Sequence, residues 1–253
     1  MTGRCRHCKT PLTLDFLDLG HAPPSNAYLT AEALSAPEIT YPLRLKACPA
    51  CRLVQTEDFA AAEALFTDDY AYFSSTSQSW LDHAARYVEM ITARLGLDGA
   101  SHVIEVASND GYLLKNFVAA GIPCLGVEPT KGTAEAAEAL GVTVVQAFFG
   151  ADMARDLAQA DLILGNNVYA HVPDIDDFTA GLAVALKPEG VVTLEFPHLM
   201  RLVEFNQFDT VYHEHFSYLS LFAVRRIMAA AGLRVFDVEE LATHGGSLRI
   251  YAC

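Results

Sequence analysis

From Ser101 onward, short apolar segments with the pattern of β-strands alternate with longer segments that carry apolar residues at helical spacing. Such alternation predicts an α/β fold with a mostly parallel sheet and helices on both faces. The last segment follows Gly245-Gly246 and is expected to pair back, which makes one of seven strands antiparallel. The predicted strands are residues 102–106, 124–127, 143–145, 161–164, 191–196, 234–240 and 247–251. The predicted helices are residues 113–120, 133–140, 151–159, 175–186 and 221–231, with a turn at 187–190.

Polar side chains cluster where the predicted strands end. The first strand runs into a polar turn at residues 108–111, the second ends at Glu128, and the fourth is followed by Asn166 and His171. Ligands of parallel sheets bind beyond the carboxyl ends of the strands. An acidic residue after the second strand suits ribose hydroxyls, and Phe148, after the third strand, offers an apolar surface for a base. Together these residues predict a nucleoside site.

Four of the six cysteines form two C-x-x-C pairs, Cys5 with Cys8 and Cys48 with Cys51. Two such pairs supply four thiolates for a tetrahedral zinc ion. Because the N-terminus shows no secretory signal, a metal is favoured over disulfides. Four thiolates leave no open coordination position, so the predicted zinc is structural. His7 and His21 are less favoured alternative ligands. A loop is expected between the two pairs, at residues 20–26.

The chain carries a net charge of −14 at neutral pH. A nucleic-acid surface needs clustered Lys and Arg, so no nucleic-acid partner is expected. No apolar run approaches the roughly 18 residues of a membrane helix, so no membrane association is expected. The N-terminus lacks a hydrophobic signal segment, which makes the cytoplasm the predicted compartment.

Residues 58–98 separate the cysteine-rich part from the alternating part. Two stretches, 58–66 and 80–95, have apolar residues at helical spacing. Between them lies an aromatic, hydroxyl-rich segment that includes Tyr72 and Ser75. This segment is equally consistent with a packed linker and with a lid over a bound cofactor. The predicted division is a zinc-binding module at 1–57, a helical linker or lid at 58–98 and a main domain at 99–253.

Besides the four-cysteine module, the chain carries Ser-Asn-Asp-Gly at 108–111, Tyr-x-Tyr-x-Ser-Ser-x-Ser at 70–77, Tyr-His-Glu-His-Phe-Ser-Tyr at 212–218 and Thr-His-Gly-Gly-Ser-Leu-Arg at 243–249. Together these motifs resemble the S-adenosylmethionine-dependent sugar C-methyltransferases, which act on nucleotide-linked ketosugars in antibiotic deoxysugar pathways. Methyltransferases generally carry a Gly-x-Gly-x-Gly loop, whereas this chain has Ala107 and Asn109 in place of the first two glycines and keeps Gly111. Family members usually continue into a further C-terminal domain, which is not expected within these 253 residues.

The resemblance implies a Rossmann-like class I methyltransferase fold, with S-adenosylmethionine and structural Zn²⁺ as cofactors. It also implies a small-molecule substrate, a nucleotide-linked ketosugar of the dTDP type. The residues expected to contact the cofactor are Tyr72, Ser75, Glu105, Ala107, Ser108, Asn109, Asp110, Gly111, Glu128, Phe148 and Asn166.

Methyl transfer to carbon requires a carbanion equivalent, which forms most readily next to a carbonyl group. A base must remove the proton and a donor must stabilise the enolate oxygen. A histidine suits the first task because its pKa is near neutral. The resemblance implies His215 as the base, with Tyr212 and Glu214 positioning the sugar. His171 is expected to donate to the enolate oxygen.

Several alternatives remain open at the level of sequence. His213 and His215 are also consistent with purely local hydrogen bonds along an extended segment. Arg249 fits either a phosphate contact or a surface salt bridge. Two other functions fit the same sequence: O- or N-methyl transfer to a small molecule, and non-catalytic binding of S-adenosylmethionine by a zinc-containing module.

Overall fold

The computed structural model of the chain describes residues 3–25, 28–57, 59 and 72–253. In chain order the strands of these residues are β1 Leu14–Ala22, β2 Tyr41–Ala47, β3 Val54–Thr56, β4 Val103–Val106, β5 Cys124–Val127, β6 Thr143–Val145, β7 Ala160–Asn166, β8 Leu186–Pro197, β9 Ser217–Tyr218, β10 Val235–Leu241 and β11 Ser247–Ala252. Their α-helices are α1 Gln78–Leu95, α2 Leu114–Ala119, α3 Lys131–Ala139, α4 Ala151–Ala154, α5 Ile175–Ala185, α6 Leu199–Glu204 and α7 Leu221–Ala230.

The larger sheet has seven strands in the order β10-β11-β8-β7-β4-β5-β6. Strands β8, β7, β4, β5 and β6 are parallel neighbours, and β11 is antiparallel to both β8 and β10. The predicted seven-stranded, mostly parallel sheet with one antiparallel member is confirmed. The chain reverses at Gly245 and Gly246, whose φ angles of 75° and 120° favour glycine.

Helices cover both faces of this sheet, as parallel strands require. Apolar residues of α5 and α7 pack on one face, and those of α1, α2 and α3 pack on the other. Helix α1 confirms the helix predicted at 80–95 and ends at Gly96, which has a φ of 65°. The helix predicted at 58–66 falls almost wholly outside the described residues. Within the described part of the chain, no helix is both long and apolar enough to cross a bilayer.

Two predicted boundaries are wrong. The helix predicted at 151–159 ends at Ala154, because the next residues make i→i−3 turns in which Arg155 N donates to Asp152 O. The turn predicted at 187–190 lies inside β8, which begins at Leu186. The register between β7 and β8 shifts there, with Ala160 opposite Leu186 and Leu162 opposite Val191. The Pro-Glu-Gly sequence is therefore accommodated as an irregularity of the strand.

A smaller sheet, in the order β1-β2-β3-β9, joins the N-terminal residues to the rest of the chain. Strands β1 and β2 form an antiparallel pair, so Gly20 belongs to a strand and the loop predicted at 20–26 is wrong over its first half. Strand β3 pairs with β9, with Val54 opposite Tyr218 and Gln55 opposite Ser217. A short strand from the C-terminal half therefore completes the sheet that the N-terminal residues begin.

The order of the larger sheet reverses at β4. Strands β5 and β6 lie on one side of β4, whereas β7 and β8 lie on the other. The connections that leave β4 and β7 therefore diverge to opposite sides and leave a crevice at their carboxyl ends. The fold places the predicted polar strand ends around this crevice.

Candidate active site

The four cysteines of the two C-x-x-C pairs meet in one cluster. Their Sγ atoms all lie within 4.8 Å of one another, with 3.5 Å between Cys5 and Cys51 and 3.4 Å between Cys8 and Cys48. Four sulfurs bound to one Zn²⁺ at about 2.3 Å stand about 3.8 Å apart. The donor set and its spacing therefore fit a tetrahedral zinc ion.

Both pairs adopt the same turn. The amide of Lys9 donates to Cys5 O at 3.0 Å, and that of Arg52 donates to Cys48 O at 3.1 Å. Lys9 and Arg52 have φ angles of 59° and 66°, a left-handed conformation that folds each turn back on itself. The alternative ligands lie elsewhere. His7 Nδ1 lies 2.6 Å from Asp176 Oδ1. His21 is an exposed residue of β1.

A cavity of about 740 Å³ opens at the carboxyl ends of β4, β5 and β7, within the usual range for small-molecule sites. The predicted site residues on its surface are Tyr72, Ala107, Asn109, Glu128, Phe148, Asn166, His171, Tyr212, Glu214 and His215. Five others are sequence neighbours of lining residues without lining the cavity themselves: Ser75, Glu105, Ser108, Asp110 and Gly111. The fold thus gathers both predicted sets, the cofactor residues and the catalytic residues, around one space.

The loop after β4 holds three alternate residues in the left-handed conformation. The φ angles are 56° at Ala107, 49° at Asn109 and 75° at Gly111. These are the positions of the three glycines in a Gly-x-Gly-x-Gly loop. Asn adopts this conformation more readily than most residues, whereas Ala pays about 1–2 kcal/mol. The loop therefore keeps its backbone course without two of its glycines.

Asn109 fixes the loop through its own backbone and side chain. Its amide donates to Glu128 Oε2 at 2.9 Å, at the end of β5. Its side-chain Oδ1 accepts from Ser74 N at 2.9 Å, and its Nδ2 donates to Tyr72 O at 3.1 Å. The aromatic and hydroxyl-rich segment before α1 therefore lies directly against the loop.

Three acidic residues, Glu105, Asp110 and Glu128, lie close together in and around this loop. Asp110 Oδ2 accepts from Ser75 N at 3.0 Å. Glu105 is fully buried, and neither of its carboxylate oxygens has a hydrogen-bond partner among the described residues. Burial raises the pKa of Glu105 well above its usual value, and the charges of Glu128 and Asp110 add to the effect. Ser108 is also buried, with its Oγ against Gly126, where any side chain would collide with it.

His215 has a single ring tautomer that its neighbours define. Its Nδ1 lies 3.1 Å from Thr210 O, and its Nε2 lies 2.8 Å from the hydroxyl of Tyr212. Because a carbonyl oxygen only accepts, Nδ1 carries the hydrogen and donates to Thr210. Nε2 then holds the lone pair and accepts from Tyr212. Burial lowers the pKa of His215 well below its usual value, and the nearby ring of His171 lowers it further.

His171 and Glu214 complete the group. The rings of His171 and His215 meet edge to face, with centroids 4.6 Å apart. Burial lowers the pKa of His171 to about 4, against the opposing effect of a hydrogen bond with the backbone of Glu214. The Glu214 side chain is buried and its Oε1 accepts from Ser25 Oγ at 2.7 Å. His171 and His215, two of the imidazoles that line the cavity, are therefore neutral at physiological pH.

His213 and Arg249 lie apart from this group. His213 Nε2 is 3.2 Å from Pro42 O, so its ring faces the smaller sheet while that of His215 faces the cavity. The alternative of an extended segment that carries both histidines does not hold, because residues 213–214 form a turn. Arg249 is buried and pairs with Glu195 at 2.7 Å and Glu239 at 3.1 Å, which is neither a phosphate contact nor a surface salt bridge.

Sequence reasoning missed several residues of the cavity. Trp80 and His244 line it, with ring centroids 5.1 Å apart. Glu195 supports both: it pairs with His83, which stacks on Trp80, and it accepts from Thr243, which precedes His244. In the sequence, Trp80 is the only tryptophan and lies far from His244, so no local pattern indicates such a wall. The pairing of β8 with β11 brings Glu195 close to Thr243 and His244.

A doubly wound sheet with a polar loop at its switch point is a Rossmann-like fold, a class of fold in which nucleosides commonly bind at that point. Comparison with known families is consistent with that class. A "Methyltransferase domain" family matches residues 80–238, and a family described as "Putative zinc binding domain" matches residues 5–66. The chain belongs to the methyltransferase-domain family and carries a zinc-binding module before that domain. The predicted methyltransferase fold and structural zinc site are confirmed.

Individual relatives agree with this assignment. The chain is 34% identical over 252 residues to the C-methyltransferase NovU of Streptomyces niveus, which covers 98% of this chain and 60% of that protein. The chain therefore spans about three fifths of the length of this curated relative. Two solved structures share the fold, each covering 68% of this chain. One is the magnesium protoporphyrin IX methyltransferase of Synechocystis PCC 6803 (TM-score 0.55, 16% identity, 82% of that chain), and the other is a methyltransferase from Clostridium acetobutylicum (TM-score 0.54, 11% identity, 91% of that chain).

Proposed function

We propose that this protein transfers a methyl group from S-adenosylmethionine to a carbon atom of a nucleotide-linked ketosugar, of the dTDP type. The observation that carries the proposal is the neutral His215, whose lone pair at Nε2 is held by Tyr212 in the same cavity as the loop at 107–111. A neutral imidazole has a lone pair that can accept a proton, and the likeness to a C-methyltransferase supports carbon as the atom that is methylated.

The residues around the loop fit S-adenosylmethionine. Glu105 is a buried carboxylate without a donor among the described residues, and an ammonium group nearby would restore its ionised form. Phe148 is 53% exposed beside the cavity and offers a face for adenine. Glu128 lies at the end of β5, where an acid suits ribose hydroxyls. When bound, the cofactor supplies an electrophilic methyl group; its contacts would also include Asn109 and Asn166.

The chain's own residues account for the movement of the proton. When the Tyr212 hydroxyl turns from Nε2 toward the substrate, it frees the lone pair of His215. Nε2 then takes the proton from the carbon next to the carbonyl, and the electron pair left behind on that carbon becomes the enolate. Once Nε2 is protonated, it donates to the Tyr212 oxygen, whose hydrogen is then available to the substrate. We propose that His171, whose ring centroid lies 4.6 Å from that of His215, donates a hydrogen bond to the enolate oxygen. Glu214 would bind a substituent of the sugar.

The charges around the cavity support a substrate that enters sugar first. Among the described residues that line the cavity, none is Lys or Arg, while Asp174, Asp177 and Asp209 line it together with Glu128 and Glu214. A diphosphate within this lining would meet repulsion. We infer that the ketosugar occupies the cavity and that the diphosphate lies outside it.

The experiment uses a nucleotide ketosugar that carries deuterium next to its carbonyl. We expect the protein to form a methylated product that has lost that deuterium, which mass spectrometry measures. Replacing the base in His215→Asn should lower kcat by about 10²–10⁴-fold, while the affinity for S-adenosylmethionine, measured by calorimetry, stays the same. His213→Asn is the matched control because that ring faces Pro42.

A product that retains the deuterium would instead indicate O- or N-methyl transfer. Heat of cofactor binding without any methylated product from a panel of nucleotide ketosugars would indicate a non-catalytic module. Normal turnover by His215→Asn would refute the assignment of the base.

A further inference from the structure

The two zinc-binding turns differ in the residues between their cysteines. The second turn holds Pro49 and Ala50, whereas the first holds Arg6 and His7. Neither side chain of the first turn points away into solvent: Arg6 is 9% exposed, and His7 Nδ1 lies 2.6 Å from Asp176 Oδ1 in the first turn of α5. The first turn therefore makes direct contact with the methyltransferase domain.

Arg6 contacts three separate segments of the chain. Its Nη1 donates to Pro173 O at 2.8 Å, and its Nη2 donates to Thr56 O, at the end of β3, at 3.4 Å. Its guanidinium lies over the ring of Phe216, 5.4 Å from the centroid. A planar guanidinium makes contacts in several fixed directions at once, which an ammonium group does not.

Two of these segments carry the proposed catalytic histidines. Pro173 follows His171 by two residues, and Pro173 itself lines the cavity. Phe216 follows His215 directly, and Phe216 O accepts from Thr56 N at 3.2 Å. Arg6 therefore stands between the backbone segments of the two imidazoles, whose ring centroids are 4.6 Å apart.

The position of Arg6 is in turn tied to the zinc site. The amide of Arg6 donates to Gln55 Oε1 at 2.9 Å, and Gln55 Nε2 donates to Cys5 Sγ at 3.2 Å. Gln55 also lies opposite Ser217 in the pairing of β3 with β9. A metal-bound turn is rigid, so this set of contacts extends from a zinc ligand to the segment that holds His215.

We propose that Arg6 is a positioning residue for the methyl-transfer reaction, which sets the spacing of His171 and His215 from the zinc-bound turn. The role of the zinc module is then to scaffold the active site as well as to fold its own residues. The proposal rests on the proposed function, because it assumes that these two imidazoles act on the substrate.

The test compares Arg6→Lys with Arg52→Lys. Arg52 follows the second turn and is exposed, so its variant controls for a lysine placed beside the zinc site. Displacement of catalytic groups by about 1 Å costs about 10²-fold in rate. We expect Arg6→Lys to lower kcat by about that factor with little change in KM, zinc content or cofactor affinity. The Nδ1–H resonance of His215, bonded to Thr210, should shift in Arg6→Lys and stay in place in Arg52→Lys.

Two other outcomes overturn the proposal. Unchanged kcat and unchanged histidine resonances in Arg6→Lys would show that Arg6 sets nothing at the active site. Loss of zinc, with activity falling in proportion, would make Arg6 a residue for metal retention only. If the unaltered protein methylates no ketosugar, the proposed function fails, while the histidine resonances and zinc content still decide the role of Arg6.

Discussion

Glycine at position 107 should stabilise this protein, although alanine is the residue found there. Ala107 has a φ of 56°, where a β-carbon costs about 1–2 kcal/mol. Glycine removes that cost, but it also gives the unfolded chain more conformational freedom, which lowers the free energy of unfolding by about 0.5–1 kcal/mol. Ala107→Gly should therefore raise the free energy of unfolding by up to about 1 kcal/mol. For a chain of this size that corresponds to about 2–4 °C in Tm.

The converse change at Gly111 should be strongly unfavourable. Gly111 has a φ of 75°, and a β-carbon there would lie 3.0 Å from Ala137 Cβ and 3.3 Å from Val142 Cγ2. The conformational cost of about 1–2 kcal/mol adds to overpacking of about 1–3 kcal/mol. We expect Gly111→Ala to lower the free energy of unfolding by about 2–5 kcal/mol.

Urea unfolding of both variants, with zinc present throughout, measures these changes. Opposite signs at the two positions would agree with a loop whose alternate residues are all left-handed. If Ala107→Gly destabilised the protein by 1 kcal/mol or more, on the order of the strain expected at this φ, position 107 would not be strained and the reasoning would be wrong.

Three further predictions concern the metal and the pH. Cys8→Ser should lose zinc and destabilise the protein by more than about 4 kcal/mol, whereas Cys253→Ser, a thiol outside the cluster, should keep both zinc and stability; metal analysis and thermal unfolding check this. Burial holds the pKa of His215 well below its usual value, so the base stays neutral as the pH falls. The value of kcat/KM should therefore be constant from pH 8 to below about 6.5. A decrease in kcat/KM that begins above that pH would contradict this prediction. The pKa of His171 is about 4, so the unfolded chain takes up this proton first, and stability should fall as the pH drops from about 6.5 toward 4.

The sequence predicts the larger sheet well because its strands and helices have distinct periods. Strands 124–127 and 143–145 have the predicted bounds, since each is a short apolar run between clear turns. The Pro-Glu-Gly turn signal at 188–190 fails because the strand continues through it with a shifted register. Local signals of this kind yield to pairing with a neighbouring strand.

The site is predictable only in its local parts. The loop at 108–111 and the stretch at 212–215 each contain several adjacent polar residues, and these predict a functional site. Thr210 O fixes the tautomer of His215 and so leaves the lone pair on Nε2. Because Thr210 O is a backbone atom, no pattern of side chains reveals it. The Ser25–Glu214 bond and the Arg6–Pro173 bond join residues far apart in the chain, so only the fold brings them together.

The pairing of β3 with β9 has a consequence for how such proteins can recombine. The two family matches, residues 5–66 and 80–238, suggest separable units, yet Val54 and Gln55 of the first pair with Tyr218 and Ser217 of the second. A hybrid that joins this zinc module to the methyltransferase domain of a relative would inherit a foreign edge strand beside the catalytic stretch. Shuffling at the linker alone should therefore yield poorly active chimeras. Hybrids in which residues 212–218 travel with the module should keep both the sheet and the proposed base in register.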